Sequence, residues 1–329
     1  MRRRTFLTAF SLLPAAALAA RPAVAQGGGD WPARTVTIVV PFPPGSSSDI
    51  VARAVAQPMQ QAVGKPVVVE NRPGATGEIG ARSVVRSAPD GYTLMHAPIS
   101  TWAINVPLRP KLAYDPVKQF TPVTQTVRTP NVLVVNPQQV PADDLAGLLA
   151  WLRRPGTRAS YSTSGIGSSD HLTMEMFKQA TGTDVAHVPY PGGAPATTDL
   201  ISGTVQMSFQ NLGSIAPHIQ EGRVKPILIT SDGRSPLLPR VPTAAEAGLR
   251  DFAVYSWQAM GAPAGLPAPL LRQVHERVVA ALRAPETERR LAEIGFEAVG
   301  STPEEFAAFQ RAEIERWRKV IETGGIKPE

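Results

Sequence analysis

The sequence predicts an α/β fold divided into two domains. Short β-branched strands alternate with helical stretches along most of the chain, a pattern typical of βαβ units that build parallel sheets. Most of the 33 prolines fall at the ends of these elements, where the chain turns. The chain has 329 residues, and a single hydrophobic core rarely organises so many, so two domains are expected.

The first strand, loop and helix illustrate the pattern. Val36–Val40 is a short β-branched run suited to a buried parallel strand. Pro43 and Pro44 cannot continue the strand, Gly45 permits a tight turn, and residues 46–49 are all good N-caps for a helix. The unpaired amides and positive dipole of such a helix start suit a carboxylate or phosphate. Taken alone, the segment favours a turn with no ligand, since every α/β protein contains such turns.

The later elements follow in the same alternation. The last helix carries apolar residues at a spacing of three to four, which predicts a packing stripe. Further strands are predicted at residues 66–70, 93–96, 120–124, 132–136, 159–162, 186–188, 205–209, 226–230 and 255–262. Helices are predicted at residues 50–63, 77–87, 141–153, 169–181, 194–202, 267–282, 286–294 and 303–323.

The N-terminus predicts export. Arginines at residues 2–4 precede an apolar run at 9–20, and Ala23-Val24-Ala25 supplies the small residues of a signal-peptidase site. We therefore expect a signal peptide over residues 1–25, cleaved after Ala25, and a periplasmic protein. Residues 3–7 also fit the twin-arginine pattern, although ordinary secretion signals begin with arginines as well.

Composition argues against several classes of protein. The formal charge of +6 includes four arginines of the predicted signal, so the remainder is close to +2. Its basic residues are interspersed with acids and form no dense stripe, which argues against nucleic acid as a partner. The chain has no cysteine, so it has no disulfide framework, lipoprotein anchor or thiolate chemistry.

Motifs that would carry catalysis are absent or incomplete. The chain has neither the G-x-S-x-G pentapeptide of a serine hydrolase nor a GK[ST] phosphate loop. Residues 165–170 begin like a dinucleotide-binding motif, but Asp170 occupies the third glycine position. Ser168, Asp170 and His171 point different ways on a helix start, so capping explains them better than a catalytic triad. The five histidines show no metal-ligand spacing, and the pattern suits binding better than chemistry.

Loop motifs occur in a fixed order over essentially the whole chain after the signal. They are VPFPPGSSSD at 40–49, ENRPGATGEIG at 70–80, PDGYTL at 89–94, YDP at 114–116, FTPV at 120–123, YSTSGIGS at 161–168, HVPYPGGAPA at 187–196, VPTAAEAG at 241–248 and APAG at 262–265. Each motif alone is weak, but the ordered set is specific. On these motifs the chain resembles the Bug family (Bordetella uptake gene products), the extracytoplasmic solute-binding receptors of tripartite tricarboxylate transporters.

The resemblance implies a two-domain periplasmic binding protein of the Venus flytrap, type II-like class. Two α/β domains would be joined by two crossing strands, with the ligand in the interdomain cleft and closure about a hinge. Domain 1 is expected at residues 27–128 and 251–329, and domain 2 at residues 129–250. The resemblance also implies a small carboxylate as ligand, the membrane components of the transporter as partners, a monomer, and no cofactor or metal.

The resemblance further implies that two loops grip the carboxylate from opposite sides. Backbone amides, hydroxyls and bridging water would hold it, without a salt bridge. The positions carried over from the family are Pro44, Gly45, Ser46, Ser47, Ser164, Gly165, Ser168, Tyr190 and Gly193. Ser100, Thr101 and Asn211 are added because they end strands that should point at the same cleft.

Each of these residues has a structural alternative. The serines could act as helix caps or turn residues without touching ligand. Tyr190 could form a rigid wall of its turn, and Asn211 could belong to an Asx turn. His171 is expected to pack behind the second loop without touching ligand, and Arg72 to play a structural role at the surface. The chain also departs from the family at Ser46 and Thr76, which both occupy glycine positions, and these changes are expected to shift ligand preference.

The sequence therefore predicts a periplasmic receptor that captures a small organic carboxylate and delivers it to a membrane transporter. Two rival classes remain. A sensor that signals to a membrane receptor would share the fold and the ligand chemistry. A secreted α/β hydrolase would need an activated nucleophile beside a base, and the sequence offers no such pair.

Overall fold

The computed structural model describes residues 31–328, so the predicted signal peptide and Gly27–Gly29 lie outside the described residues. The described strands form a ten-stranded mixed sheet with helices packed against it. None of the described helices is both long enough and apolar enough to cross a membrane.

The strands agree closely with the predicted runs at most positions. They are β1 (Val36–Val40), β2 (Val67–Asn71), β3 (Thr93–Pro98), β4 (Phe120–Val135), β5 (Ser160–Thr163), β6 (Ala186–Pro189), β7 (Met207–Asn211), β8 (Lys225–Ile229), β9 (Tyr255–Pro263) and β10 (Glu297–Ala298).

Helices occupy most of the connections between strands. They are α1 (Ser47–Val63), α2 (Glu78–Val85), α3 (Asn105–Leu108), α4 (Leu145–Leu152), α5 (Ser169–Thr181), α6 (Gly193–Ser202), α7 (Leu212–Gln220), α8 (Ala268–Leu282), α9 (Pro285–Glu293) and α10 (Pro303–Gly324). A π-helical turn (Ser100–Ile104) leads directly into α3, and a 3₁₀ turn (Ala75–Gly77) precedes α2.

The sheet has two halves that meet at β4. The strand order is β2-β1-β3-β9-β4-β7-β5-β6, with β8 and β10 also paired to β4. We call the half with β1–β3, β9, α1–α3 and α8–α10 the first lobe. The half with β5–β8 and α4–α7 is the second lobe. The strands β1, β2 and β3 are parallel to one another, as are β5, β6 and β7.

The strands β4 and β9 connect the lobes and run antiparallel to their neighbours. Residues Phe120–Pro130 of β4 pair with β9, and residues Asn131–Val135 pair with β7 in the second lobe. The chain returns beside this crossing, where Thr230 Oγ1 donates to the Val254 carbonyl and the Asn131 amide donates to Thr230 Oγ1. The division into domains at residues 128/129 and 250/251 remains a prediction, and these crossings are where we expect it.

Three sequence-based expectations need correction. The predicted strands at 120–124 and 132–136 are one 16-residue strand, β4. Its register against β9 shifts between Pro122 and Thr124 and again between Gln125 and Val127. The sheets are parallel only in their outer strands, because β4 and β9 are antiparallel. The helix α7 was not predicted, since Gly213 and Pro217 disguise its apolar pattern.

The apolar core has a part in each lobe and a part that both lobes share. Helix α1 turns Val51, Val55 and Met59 onto the first-lobe sheet, and all three are fully buried. In the second lobe Ile215 of α7 packs in a cluster with Val132 of β4. The predicted stripe of α10 is confirmed, since Phe306, Ile314, Trp317 and Ile321 are buried and Phe309 packs on Trp257 at 5.2 Å. These cores hold the strand ends that form the site.

Candidate ligand-binding site

A cavity of about 660 Å³ lies between the lobes, at the carboxyl ends of β1, β3, β5 and β7. Ligands of open α/β sheets bind outside the carboxyl ends of the strands. The structure brings ten of the twelve predicted site residues to its walls, namely Pro44, Gly45, Ser46, Ser47, Ser100, Ser164, Gly165, Ser168, Gly193 and Asn211. Thr101 and Tyr190 are not among the lining residues.

The first wall of the cavity is the loop between β1 and α1. Ser46 is the N-cap of α1, with an extended backbone (φ −65°, ψ 158°) and a hydroxyl that accepts from the Asp49 amide at 3.4 Å. The amides of Ser47 and Ser48 donate to no described protein acceptor. Gly45 has a φ of +79°, and a Cβ there would meet no atom within 4 Å, so conformation alone requires glycine.

Asp49 fixes the shape of this first loop. Its buried carboxylate accepts from the Gly45 amide at 2.9 Å, from Arg53 Nε at 3.0 Å and from Asn71 Nδ2 at 2.9 Å. Asn71 also donates to the Phe42 carbonyl at 3.0 Å. Burial alone would raise the pKa of Asp49, but the hydrogen bonds from Arg53, Gly45 and Asn71 outweigh it, so the pKa lies below its ordinary value. Asp49 is therefore ionised at neutral pH.

The opposite wall is the loop between β5 and α5. Ser168 is the N-cap of α5, and its hydroxyl accepts from the His171 amide at 3.3 Å while donating to the Gly165 carbonyl at 2.6 Å. The amide of Ser169 donates to no described acceptor. Gly167 has a φ of +77°, and a Cβ there would lie 2.4 Å from Cδ2 of Leu108, which belongs to the first lobe.

A second aspartate anchors this loop without a cation. Asp170 is 4% exposed, and its Oδ2 accepts from the Ser164 amide at 2.6 Å and the Ser164 hydroxyl at 2.9 Å. No basic side chain of the described residues forms an ion pair with it. Burial raises the pKa of Asp170 above its ordinary value, and the hydrogen bonds from serine side chains and the Ser164 amide offset only part of that rise.

Histidines support the second loop from behind. The Gly167 amide donates to His171 Nδ1 at 3.2 Å, and the His171 ring stacks on His187 with 4.1 Å between centroids. His187 Nε2 lies 2.7 Å from Thr163 Oγ1, at the end of β5. Burial, with a smaller contribution from His187, lowers the pKa of His171 to about 3. The ring stays neutral at neutral pH and continues to accept from Gly167, in keeping with the predicted structural role of His171.

The third part of the wall combines α6 with the end of β7. The amides of Gly193 and Ala194, at the start of α6, donate to no described acceptor. A Cβ on Gly193 would lie 3.3 Å from Ser164 Oγ and 3.5 Å from Gln210 Oε1, so this helix start sits close against the second loop. The side-chain oxygen of Asn211 is buried and has no described partner. Asn211 is also one of the residues that line the cavity.

Two predicted site residues point elsewhere. Thr101 is fully buried behind the wall, because the chain enters a π-helical turn at Ser100 instead of ending a strand there. Tyr190 donates its hydroxyl to Asp199 Oδ2 at 2.6 Å, along α6. Burial and then the Asp199 hydrogen bond raise the pKa of Tyr190 to about 12, so it remains a neutral donor. Tyr190 thus stabilises its own turn, which is the alternative to ligand binding given for it above.

Several lining residues were not predicted. Gln210 is buried, donates to Ser208 Oγ at 2.9 Å and presents its amide to the cavity. Its position beside Asn211 at the end of a strand was an available signal. Thr76 lines the first-lobe side, and the sequence marked it only as a departure from glycine. Ser214 and Ser256 also line the cavity, although nothing local distinguishes them.

An anion in this cavity would be held by dipoles and not by a basic side chain. Among the described lining residues Asp170 is the one charged side chain, and none is lysine or arginine. Ser168, Asp170 and His171 do not form a triad, because Asp170 bonds to Ser164 and His171 accepts from Gly167. Residues 31–328 contain no cluster of three side chains suited to a metal ion.

A second cavity of about 670 Å³ lies beside the crossing strands and is lined by residues such as Leu212, Leu237 and Phe296. Its arginines are neutralised by acids; Arg128, for example, forms a two-point pair with Glu297 at 2.8 and 2.9 Å. This cavity is therefore poorly suited to an anion, and the interlobe cavity is the better candidate.

The fold and the loops agree with known proteins. The chain is 41% identical, with a TM-score of 0.80, to a solved periplasmic transporter, covering 90% of this chain and 99% of the other. It is 37% identical, with a TM-score of 0.81, to an R. palustris protein solved with adipate, covering 91% and 100%. It is also 34% identical, with a TM-score of 0.77, to MatC of Rhodopseudomonas palustris with bound malate, covering 88% and 100%. The fold is thus that of the two-domain periplasmic binding proteins.

Sequence comparison identifies the family. Protein BugT of Bordetella pertussis is 36% identical over 299 residues, which cover 90% of this chain and 91% of BugT. Residues 51–326 match the family described as the tripartite tricarboxylate transporter family receptor. These proteins are periplasmic solute-binding receptors and not enzymes, so the hydrolase alternative is wrong. This chain belongs to the tripartite tricarboxylate transporter receptor family, and it is a Bug protein.

Proposed function

We propose that this protein captures a small organic carboxylate in the interlobe cavity and delivers it to the membrane components of a tripartite tricarboxylate transporter. One observation carries the proposal. Three helices, α1 in the first lobe and α5 and α6 in the second, begin at the same cavity with amides that have no acceptor among residues 31–328. The described lining residues include no basic side chain that would pair with the anion.

Helix starts are sufficient to hold a carboxylate. Each presents at least one unpaired amide and a partial positive charge, and a charged hydrogen bond contributes about 1.5–3 kcal/mol. The ligand carboxylate would accept from the amides of Ser47 and Ser48 on one side and Ser169 on the other, directly or through water. Since the donors come from both lobes, binding would draw the lobes together.

The cellular setting follows from the same proposal. A cleaved signal over residues 1–25, by the general or the twin-arginine route, would place a monomeric receptor in the periplasm. Two of the solved relatives were solved with adipate and with malate, so we infer that a dicarboxylate of similar size is the first ligand to test. Loss of acid uptake on gene deletion would distinguish delivery to a transporter from a purely sensory role.

A thermal-shift screen against small carboxylic acids tests the binding step. A ligand present at about 100 times its Kd stabilises the folded state by about 2.7 kcal/mol, which gives a clear rise in melting temperature. The primary amides of the same acids serve as controls, because they keep the shape and lack the charge. Stabilisation by the amides and not by the acids, or by no acid at all, would contradict the proposal.

Proline substitutions test the grip itself. Ser47→Pro and Ser169→Pro each remove one amide donor at the first position of a helix, where proline is well tolerated. The preceding residues, Ser46 and Ser168, already have the extended backbone that proline requires. We expect each variant to keep its unliganded melting temperature and to lose about tenfold or more in affinity. Unchanged affinity in both would show that these amides do not hold the ligand.

A further inference from the structure

One strained residue lies on the cavity wall. Residues 74–77 have four consecutive positive φ angles, of 129°, 46°, 53° and 92°. Two of the four are not glycine, and Thr76, with the angle of 53°, is β-branched. A β-branched residue rarely adopts this conformation, and such strain persists where the surroundings impose it, often at ligand-binding sites. Thr76 also lines the interlobe cavity.

Two residues hold Thr76 in place, Asn105 at the start of α3 and Arg109 directly after its end. Asn105 Nδ2 donates to the Thr76 carbonyl at 3.2 Å, and Arg109 Nη2 donates to Thr76 Oγ1 at 3.0 Å. Arg109 Nε also donates to Asn105 Oδ1 at 3.3 Å, and Asn105 is almost fully buried. The three side chains therefore form one connected group, and the strain of Thr76 is compensated by hydrogen bonds from a neighbouring helix.

The direction of these bonds leaves a donor free. Arginine can only donate, so Thr76 Oγ1 accepts from Arg109 and its own hydrogen is available to another acceptor. Among the described residues Thr76 Oγ1 donates to no protein group, and Arg109 forms no ion pair with an acid. A hydroxyl that accepts from a cation is also a stronger donor. The first-lobe side of the cavity thus offers a polarised hydroxyl, backed by a positive charge.

We propose that Thr76, with Arg109 behind it, determines ligand specificity by binding a second carboxylate, at the end of the ligand away from the helix starts. This inference rests on the proposed function and narrows it to dicarboxylates. Arg109 is a positioning residue, because it acts through the Thr76 hydroxyl. The other described lining residues are mainly glycine, serine and proline, and none of their hydroxyls accepts a hydrogen bond from a basic side chain.

Matched ligand pairs and matched variants test this assignment. Adipate is compared with hexanoate, and malate with 2-hydroxybutanoate, so that each pair differs in the second carboxylate. Affinities are measured by calorimetry for the wild type, Thr76→Val, Thr76→Ser and Arg109→Met, with Arg154→Met as an exposed control. We expect the wild type to prefer the dicarboxylate of at least one pair by tenfold or more, and Thr76→Val and Arg109→Met to lose most of that preference.

The serine variant separates chemistry from folding. Thr76→Ser keeps the hydroxyl and is expected to keep the preference, whereas Thr76→Val keeps the branched shape and loses it. Unliganded melting temperatures identify any variant that fails to fold, and in that case Thr76→Gly, which relieves the strained angle, replaces it. An unchanged preference in both Thr76→Val and Arg109→Met, or equal wild-type binding of both members of each pair, overturns this inference alone. The absence of binding to every acid, in this panel and in the wider screen, overturns the proposed function together with it.

Discussion

The two loops that face each other across the cavity are built alike, but the charges of their aspartates are compensated differently. In each loop a serine caps a helix, and a buried aspartate within three residues of the cap accepts from a loop amide. Asp49 of the first loop also has Arg53 and Asn71 as partners. Asp170 of the second loop has Ser164 and no ion-pair partner among the described residues.

The first loop is therefore more firmly anchored than the second. The first loop is held by an ionised carboxylate with several donors, and its glycine meets no neighbour. The second loop carries an uncompensated buried acid and is also in contact with the first lobe, through Gly167 and Leu108. We therefore expect the charge of Asp49 to stabilise the fold and that of Asp170 to cost stability, and we expect changes in the second loop to act also on closure.

The largest effect is expected from Asp49→Asn. Asparagine has one side-chain oxygen where the carboxylate uses both, and its NH₂ group would face donors from Gly45, Arg53 and Asn71. We expect the free energy of unfolding in urea to fall by about 2–3 kcal/mol. Asp90→Asn is the control, because its ion pair with Arg34 is exposed and should matter by less than about 0.5 kcal/mol. Equal effects of the two substitutions would contradict the anchoring role.

A pair of glycine substitutions compares the loops directly. Gly45→Ala places a side chain at a φ of +79° in open space, and we expect a cost of about 1 kcal/mol from conformation alone. Gly167→Ala adds a contact with Leu108 at 2.4 Å to a similar conformational cost, and we expect about 2 kcal/mol. Urea unfolding measures both costs. Gly167→Ala should also weaken acid binding more than Gly45→Ala, and the reverse order would show that the contact is not used on closure.

The sequence was informative where a feature is set by neighbouring residues. The bounds of β1 and α5 agree with the predicted ones, because β-branched runs and serine caps act locally. The loops after β1 and β5 were identified for the same reason, and most of their predicted residues reach the cavity. Thr76 was noticed only because it occupies a family glycine position, and its strain became visible in the structure.

The failures lie where distant residues decide the outcome. The continuity of β4 depends on pairing with β9, more than a hundred residues later, and prolines conceal it in the sequence. The direction of Tyr190 is set by Asp199, one turn and a half into α6, and that of Thr101 by the π-helical turn around it. Local propensity carries no record of such partners, so it cannot separate a lining residue from one packed behind the wall.

A smaller effect is expected from the two helix caps. The hydroxyl of Ser46 makes one long bond, of 3.4 Å, whereas that of Ser168 accepts at 3.3 Å and also donates at 2.6 Å to the Gly165 carbonyl. We expect Ser46→Ala to cost about 0.5 kcal/mol and Ser168→Ala about 1–1.5 kcal/mol of unfolding free energy. Parallel urea titrations would check the order, and a larger loss for Ser46→Ala would mean that the first loop depends on its cap.

The smallest change in stability at neutral pH, and the most specific in its pH dependence, is expected for Asp170→Asn. Burial raises the pKa of Asp170, so the folded state holds this proton more tightly than the unfolded chain does. The stabilising contribution is complete below the ordinary aspartate value of 3.8, and it is lost as pH rises through the raised pKa of the folded state. Asparagine keeps an oxygen for Ser164 and removes the buried charge. The variant should therefore be about as stable as the wild type at pH 7, or slightly more stable. Its free energy of unfolding should rise relative to that of the wild type as pH increases from 4 to 7.

Unfolding measured in urea at several pH values gives this difference directly. Asp49→Asn should show the opposite slope, because the depressed pKa of Asp49 contributes stability that is present at neutral pH and lost as pH falls through the pKa of the folded state. Opposite slopes in the two variants would establish that the similar loops carry carboxylates of opposite electrostatic balance. Parallel slopes would show that Asp170 is compensated by a charge or a proton donor beyond Ser164, and the second loop would then be as firmly anchored as the first.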